Sequence, residues 1–248
     1  MVLLLGLLAA CGSSQTPAPA AAPAQEQPAQ AAAPAEESQA PALSAADVAQ
    51  ELGVDLDTSG RYRTFVVIPE ESKAAYIVDE EFFAGALAKL GIEAGKKKVE
   101  GSTQDVKGIL QLDLTGDEPL GPNKFVVNLV SLATDQNRRD KWIRENALES
   151  LKYPEAVFVA SRIEGAPASY TEGEEVQFKL VGTLSVRTVD LPVTFDVTAS
   201  LSGDTIRGVA ETGVKMSDFG FQAPSFANTL TVQDAFVIRM ELTAKEAP

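Results

Sequence analysis

Any reaction run by this chain would have to use carboxylates, amines and hydroxyls, because it has no His and a single Cys, Cys11. Those counts exclude a Ser-His-Asp triad, a Cys-His pair, an imidazole metal site and a switch titrating near pH 6.5. They also exclude an internal disulfide and a Cys-x-x-Cys redox pair. The neighbouring acids Asp113/Asp117 and Glu174/Glu175 could in principle exchange protons with a substrate, but nothing in the sequence sets either pair against one. Asp55, Asp57, Ser59 and Gly60 have the look of a calcium loop without the Gly and distal Glu of an EF-hand. No Gly-rich phosphate loop occurs. Asp218-Phe219-Gly220 shares only its letters with a kinase motif and reads as a turn in which Gly takes positive φ. The expectation is a protein without catalysis, metal or cofactor.

The cationic residues gather in one place. Arg138, Arg139, Lys141 and Arg144 surround Asp140, a patch of net +3 in an acidic chain. It could hold a phosphate headgroup, which Arg binds through paired hydrogen bonds. Alternatively, Arg139 and Asp140 pin a connection over one end of the fold, and we favour this second reading. Lys96-Lys97-Lys98 reads as a solvated turn, with contact to anionic lipid headgroups as the alternative. Trp142 reads as packing its helix onto the sheet; the alternatives are a ligand-facing or membrane-facing ring.

The net charge is −14, from 21 Lys+Arg and 35 Asp+Glu, which argues against nucleic acid as a partner. Seven of the acids, and no Lys or Arg, fall in the first sixty residues, leaving −7 for residues 61–248. The charge of that stretch therefore says little about partners.

Val2–Ala10 is an apolar run of nine residues. A bilayer span needs about 20, so the run has the length of a signal-peptide core. It ends Leu8-Ala9-Ala10-Cys11, which resembles the lipobox of bacterial lipoproteins; no Lys or Arg precedes it, a departure from that pattern. The resemblance implies cleavage before Cys11 and a diacylglyceryl group on its sulfur. Two acyl chains suffice for stable anchoring. The chain is then exported and held on the cell membrane or outer membrane through Cys11, facing the periplasm or exterior. Residues 1–10 are read as the signal peptide and 11–43 as the lipidated Cys with an Ala- and Pro-rich tether. Six Pro spread over 12–43 forbid a continuous helix, and large apolar side chains are almost lacking. Fully extended, that stretch reaches about 100 Å.

Residues 44–60 are read as a short helix and lead-in, with Ser44 as cap, Asp47 three residues on and Gly53 as stop. Residues 61–248 suit one domain. Their dominant signal is period-two alternation: Val176, Phe178, Leu180, Gly182, Leu184, Val186; then Val193, Phe195, Val197, Ala199, Leu201; then Phe236, Ile238, Met240, Leu242, Ala244. Each segment has one apolar and one polar face, the pattern of an antiparallel sheet with a wet side. Further strands are expected at 61–68, 73–78, 98–106, 108–114, 123–130, 155–163 and 205–217, with turns at Gly165-Ala-Pro167, Glu172-Gly173 and Ser202-Gly203-Asp204. Helices are expected at Asp79–Leu90 and Asp135–Leu151, the second with an apolar stripe of Ile143, Ala147 and Leu151. Many short strands and few helices make this an all-β barrel or sandwich.

Asn137-Arg-Arg-Asp-Lys-Trp-Ile-Arg144, then Leu148, then Lys152-Tyr-Pro-Glu-Ala-Val-Phe158 resembles the YceI-like family of polyisoprenoid-binding proteins. Ser72 to Val78, Gly182-Thr-Leu-Ser-Val-Arg187 with Leu191-Pro192-Val193, Ser217-Asp-Phe-Gly220 and Val232-Gln-Asp234 continue the family's pattern in order. Arg187-Thr-Val-Asp190 departs from it, and Asp79-Glu-Glu81 looks like an insertion. The resemblance implies an antiparallel lipocalin-like barrel of about eight strands and a non-enzymatic role, holding a polyisoprenoid or similar apolar lipid inside.

Such a barrel is just wide enough either to be filled by its own side chains or to hold one small ligand. The candidate ligand wall is Phe178, Leu180, Phe195, Val197, Phe236, Ile238 and Met240. The competing expectation is a solid core, with the domain acting as an interaction or structural module of the cell envelope. The sequence leaves the oligomeric state open.

Overall fold

A computed structural model describes residues 44–82, 95–115, 119–167, 169–226 and 230–247. The expected signal peptide, Cys11, the tether and Asp117 lie outside these residues.

Among the described residues, eleven strands form one antiparallel sheet: β1 (Arg63–Val67), β2 (Lys73–Phe82), β3 (Gly95–Thr103), β4 (Val106–Leu112), β5 (Leu120–Asn128), β6 (Glu155–Glu164), β7 (Glu175–Val186), β8 (Val189–Ser202), β9 (Thr205–Lys215), β10 (Ser225–Phe226) and β11 (Leu230–Glu246). The order β1-β4-β5-β6-β7-β8-β9-β11 closes on itself through β1–β11, giving a barrel of eight strands. Closure removes the edges of those eight strands; β3 and β10 each pair with a single neighbouring strand.

β11 is the seam. Its residues Ala235–Lys245 pair with β9 on one side. On the other side Leu230–Glu241 pair with β2, and Ala244–Glu246 with β1. Pro69–Glu71 form a short 3-10 turn between β1 and β2, and Ser72 bridges this break. Its hydroxyl accepts from the Thr243 N–H at 3.1 Å and donates to the Thr243 carbonyl at 3.3 Å. β2 and β3 then run on as a ribbon beyond the closed part.

Inward residues meet across the strands as the alternation requires. Leu180 faces Phe195 and Phe178 faces Val197. Met240 faces Ala210 on one side and Ala74 on the other. Phe65, Val67, Val106, Leu201 and Ala244 pack solidly at one end. Around the other end, Phe158, Phe195, Leu184, Val214 and Phe219 form a larger apolar cluster. Gly182 serves that cluster: a β-carbon there would lie 2.3 Å from the Val159 carbonyl oxygen and 2.7 Å from the Phe158 ring.

Helix α1 (Ala45–Leu52) starts at Ser44, whose hydroxyl accepts from the Asp47 N–H, and stops at Gly53, φ +64°. Ala45, Val48, Ala49 and Leu52 bury its apolar face on Val66, Ile109 and Val126. These are the outward residues of β1, β4 and β5, so the helix covers the outside of the barrel. Gln111 holds the lead-in that follows: its amide donates to the Asp57 carbonyl and the Thr64 hydroxyl at 2.9 Å, and its oxygen accepts from the Asp57 N–H at 2.8 Å. Asp57 itself turns back to the Ser59 N–H at 2.7 Å.

Three expectations are corrected. Asp79–Phe82 continue β2 and do not begin a helix; residues 83–94 lie outside the described set. Lys96–Lys98 are strand residues of β3, opposite Glu81, Glu80 and Asp79, and do not form a turn. The helix expected to Leu151 is shorter. It runs as α2 (Asn137–Trp142), widens into a π-helical turn at Ile143–Ala147, and ends before Glu149 at φ +46°. The π turn shifts the register, so Ala147 is buried but Leu151 is 81% exposed.

Candidate functional site

The barrel is hollow where the larger apolar cluster lies. A cavity of about 420 Å³ opens there, within the roughly 300–1,000 Å³ usual for small-molecule sites. Its wall is almost wholly aliphatic and aromatic. The strands contribute Val78, Phe125, Phe158, Leu184 and Phe236; the mouth segment contributes Trp142, Ile143 and Leu148.

Of the residues expected to form a ligand wall, Leu180, Phe195, Phe236, Ile238 and Met240 line this cavity. Phe178 and Val197 do not. They pack on the surrounding apolar cluster instead, because they stand one step further along β7 and β8. The alternation names the inward face but not where along it the packing gives out. The sequence reading missed the contributions of β2 and β5, Ala74, Tyr76, Phe125 and Val127 among them. The local signals were Phe125/Val127 and Ala74/Tyr76/Val78 at two-residue intervals.

The cationic residues expected at a headgroup take different places. Arg138 is exposed and lines the cavity mouth. Arg139 also lines it, but its guanidinium is committed. It donates to both oxygens of Glu80 at 3.0 and 3.1 Å, to the Thr134 hydroxyl at 3.1 Å and to Asp135 at 2.5 Å. Burial works against the charge of Arg139, yet its bonds to Asp135 and Glu80 raise its pKa. Lys97 and Arg139 together hold the Asp135 carboxyl down to about 2. Lys141 points outward beside Glu145, 3.8 Å away. Arg144 reaches the Leu132 carbonyl at 3.5 Å. Neither Lys141 nor Arg144 lines the cavity.

Asp140 is buried and accepts from the Thr134 N–H and hydroxyl at 3.0 and 2.6 Å. Arg139 thus ties the segment 129–148 to β2 over the cavity mouth, while Asp140 holds the turn within that segment; only Arg139 makes the connection that the sequence reading assigned to both. Arg187, at φ +57° in the β7–β8 turn, fastens the far end of that segment: it donates to the Ala147 carbonyl at 3.1 Å and pairs with Glu149. On the opposite rim, the Ser217 N–H and hydroxyl donate to the two oxygens of Asp234 at 2.9 and 2.6 Å. Asn123 satisfies a bulge in β6 from inside, accepting from the Ala160 N–H and donating to its carbonyl.

The cavity can hold an alkyl or isoprenoid chain by burial alone, at about 25 cal/mol per Å² of apolar area. Among the described residues, no group of three or more acids, His or Cys gathers to hold a metal.

A family model for the YceI-like domain matches residues 66–244. Among curated proteins none matches significantly. Solved structures similar in fold include Burkholderia cenocepacia BcnA, 17% identical, TM-score 0.53, covering 72% of this chain and 99% of that one. A polyisoprenoid-binding domain from Saccharophagus degradans, implicated in plant cell wall breakdown, is 14% identical, TM-score 0.53, covering 75% and 99%. A Campylobacter jejuni YceI protein is 19% identical, TM-score 0.52, covering 63% and 90%.

Proposed function

The chain belongs to the YceI-like family, and on that footing we propose that it is an exported, lipid-anchored carrier that holds a polyisoprenoid or similar long apolar lipid in its barrel. The observation that carries this is the cavity: one end of the barrel is filled by Phe65, Val67 and Leu201, while the other encloses about 420 Å³ behind apolar side chains. A module acting only through its surface would not need that space, which dispersion contacts would otherwise fill. The similar Saccharophagus domain is described as polyisoprenoid-binding, which supports the same ligand class. The described wall is nearly all apolar, which suits a binding role.

The anchor rests on Cys11 and the apolar run before it. The described residues contain no helix long and apolar enough to cross a membrane. In this reading Cys11 carries the lipid that holds the protein at the cell membrane or outer membrane, and the tether gives the barrel reach toward the envelope.

The test is native mass spectrometry of the full chain purified without detergent, with solvent extraction of what co-purifies. A stoichiometric isoprenoid establishes the carrier. A chain that stays ligand-free after incubation with isoprenoid alcohols and quinones overturns it. For the anchor, the mass of the mature amino-terminal peptide should include a diacylglyceryl group, absent in Cys11→Ala.

A further inference from the structure

Besides the Trp142 ring, the described cavity wall carries polar side chains at Tyr76, Glu80, Gln136, Arg138 and Arg139. Three of these offer a ligand nothing. Glu80 and Arg139 answer each other through two bonds, and the Tyr76 hydroxyl is shut off from open space. Gln136 and Arg138 remain, both exposed at the mouth and two residues apart.

Arg138 has no counter-ion among the described residues. The acids next to it in sequence are taken. Asp135 accepts from Lys97 at 2.8 Å and from Arg139 at 2.5 Å, and buried Asp140 accepts from Thr134. The four cations of this segment therefore part ways: Lys141 and Arg144 do not reach the cavity, Arg139 reaches it but is committed, and Arg138 reaches it with its donors unused.

A lipid seated with its hydrocarbon in the barrel leaves its polar end at this mouth. A neutral head gains little from a guanidinium there. An oxyanion gains paired, charge-assisted hydrogen bonds, in the fork geometry that suits phosphate and carboxylate alike. Because Arg138 is exposed, the head keeps part of its water, and the desolvation that offsets a buried ion pair is largely avoided. The Gln136 amide adds neutral donors beside it.

We propose that Arg138 is a specificity-determining residue of the cavity, selecting lipids that end in an oxyanion, a phosphate or a carboxylate, over the corresponding alcohols. The inference rests on the carrier reading above and deepens it.

Trp142 is the sole Trp of the chain and lines the cavity, so its fluorescence reports occupancy. The full chain, Arg138→Gln and Lys141→Gln are titrated with geranylgeraniol, its monophosphate and geranylgeranoic acid at neutral pH, where both acids are ionised. The unaltered chain should bind at least one acid about tenfold more tightly than the alcohol, the worth of a hydrogen bond to a charged group; the acid that gains more identifies the head. Arg138→Gln should bind acids and alcohol alike, with its affinity for the alcohol and its melting temperature unchanged. Lys141 stands on the same helix but off the cavity wall, so Lys141→Gln should keep the full preference. An alcohol bound as tightly as both acids overturns the inference and leaves the carrier intact. So does a preference that survives in Arg138→Gln, or one that Lys141→Gln loses as fully. No response to any of the three lipids overturns the carrier reading and this inference together.

Discussion

Arg139 and Glu80 form a two-point ion pair across 59 residues of sequence, with nitrogen–oxygen distances of 3.0 and 3.1 Å. The Glu80 side chain is 5% exposed and that of Arg139 is 13% exposed. The pair joins the inner face of β2 to the first turn of α2, and so ties the barrel wall to the segment over the cavity mouth. Removing one member of such a pair leaves the other charge buried without compensation, which costs about 3–5 kcal/mol. Arg139 keeps Asp135, so Glu80→Ala should fall near the lower end, about 3 kcal/mol. Urea unfolding checks this. A loss under about 1 kcal/mol, the range of exposed pairs, would mean that water reaches the guanidinium.

That pair also shows why part of the site was not legible in the sequence. Ala74, Tyr76, Val78 and Glu80 all face inward on β2, but an acid as the fourth member ends the apolar alternation and looks like surface. Only the distant Arg139 makes a buried carboxylate tolerable there. The acidic stretch therefore read as the start of a helix, although it continues a strand. By contrast β7, β8 and β11 bury plain hydrocarbon, and their alternation shows the sheet, the inward face and part of the cavity wall directly. Leu151 failed for a local reason: spacing by four assumes an unbroken α-helix, and the π turn at Ile143–Ala147 is not encoded in residue types.

Phe158 should be the most sensitive core position. Its ring meets Phe195 edge-on at 5.0 Å and Phe125 at 6.4 Å, and lies over Gly182. Phe158→Ala removes those contacts and enlarges an existing cavity, so we expect a loss of about 3–5 kcal/mol. Gly182→Ala should also destabilise, because the Val159 carbonyl is fixed in the β6 backbone and cannot move away as a side chain could. Both are read by thermal and urea unfolding. If Gly182→Ala were neutral, the β6–β7 pairing would have to be looser than its register indicates.

Filling the cavity should separate binding from stability. Ala210 lines it from β9, between Val197 and Met240 on the neighbouring strands. In Ala210→Phe the ring has open volume to enter, so the overpacking cost of a filled core should be small. The expected result is lipid binding reduced at least tenfold with a melting temperature unchanged or raised. Val159, 44% exposed on the barrel's outside, provides the control: Val159→Thr should bind as the unaltered chain does. Equal binding by Ala210→Phe would place the lipid elsewhere.

Acid should loosen the lead-in and the mouth together. The Thr115 N–H, Arg61 and the Thr115 hydroxyl hold the Asp113 carboxyl down to about 2, from an ordinary 3.8. Lys97 and Arg139 do the same for Asp135 at the mouth, also to about 2. A carboxyl with a folded-state pKa below its unfolded value stabilises fully above the unfolded value, and that stabilisation is lost as pH falls through the folded one. The melting temperature should therefore hold above about pH 4 and drop steeply between about pH 4 and 2. Asp113→Asn should melt lower than the unaltered chain at pH 7 and approach it as the pH nears 2. Curves that run parallel over the whole range would show that Asp113 gains nothing from its partners on folding. Between pH 5 and 8 the absence of His leaves no unperturbed side chain titrating, so affinity for an uncharged lipid measured through Trp142 should be flat there.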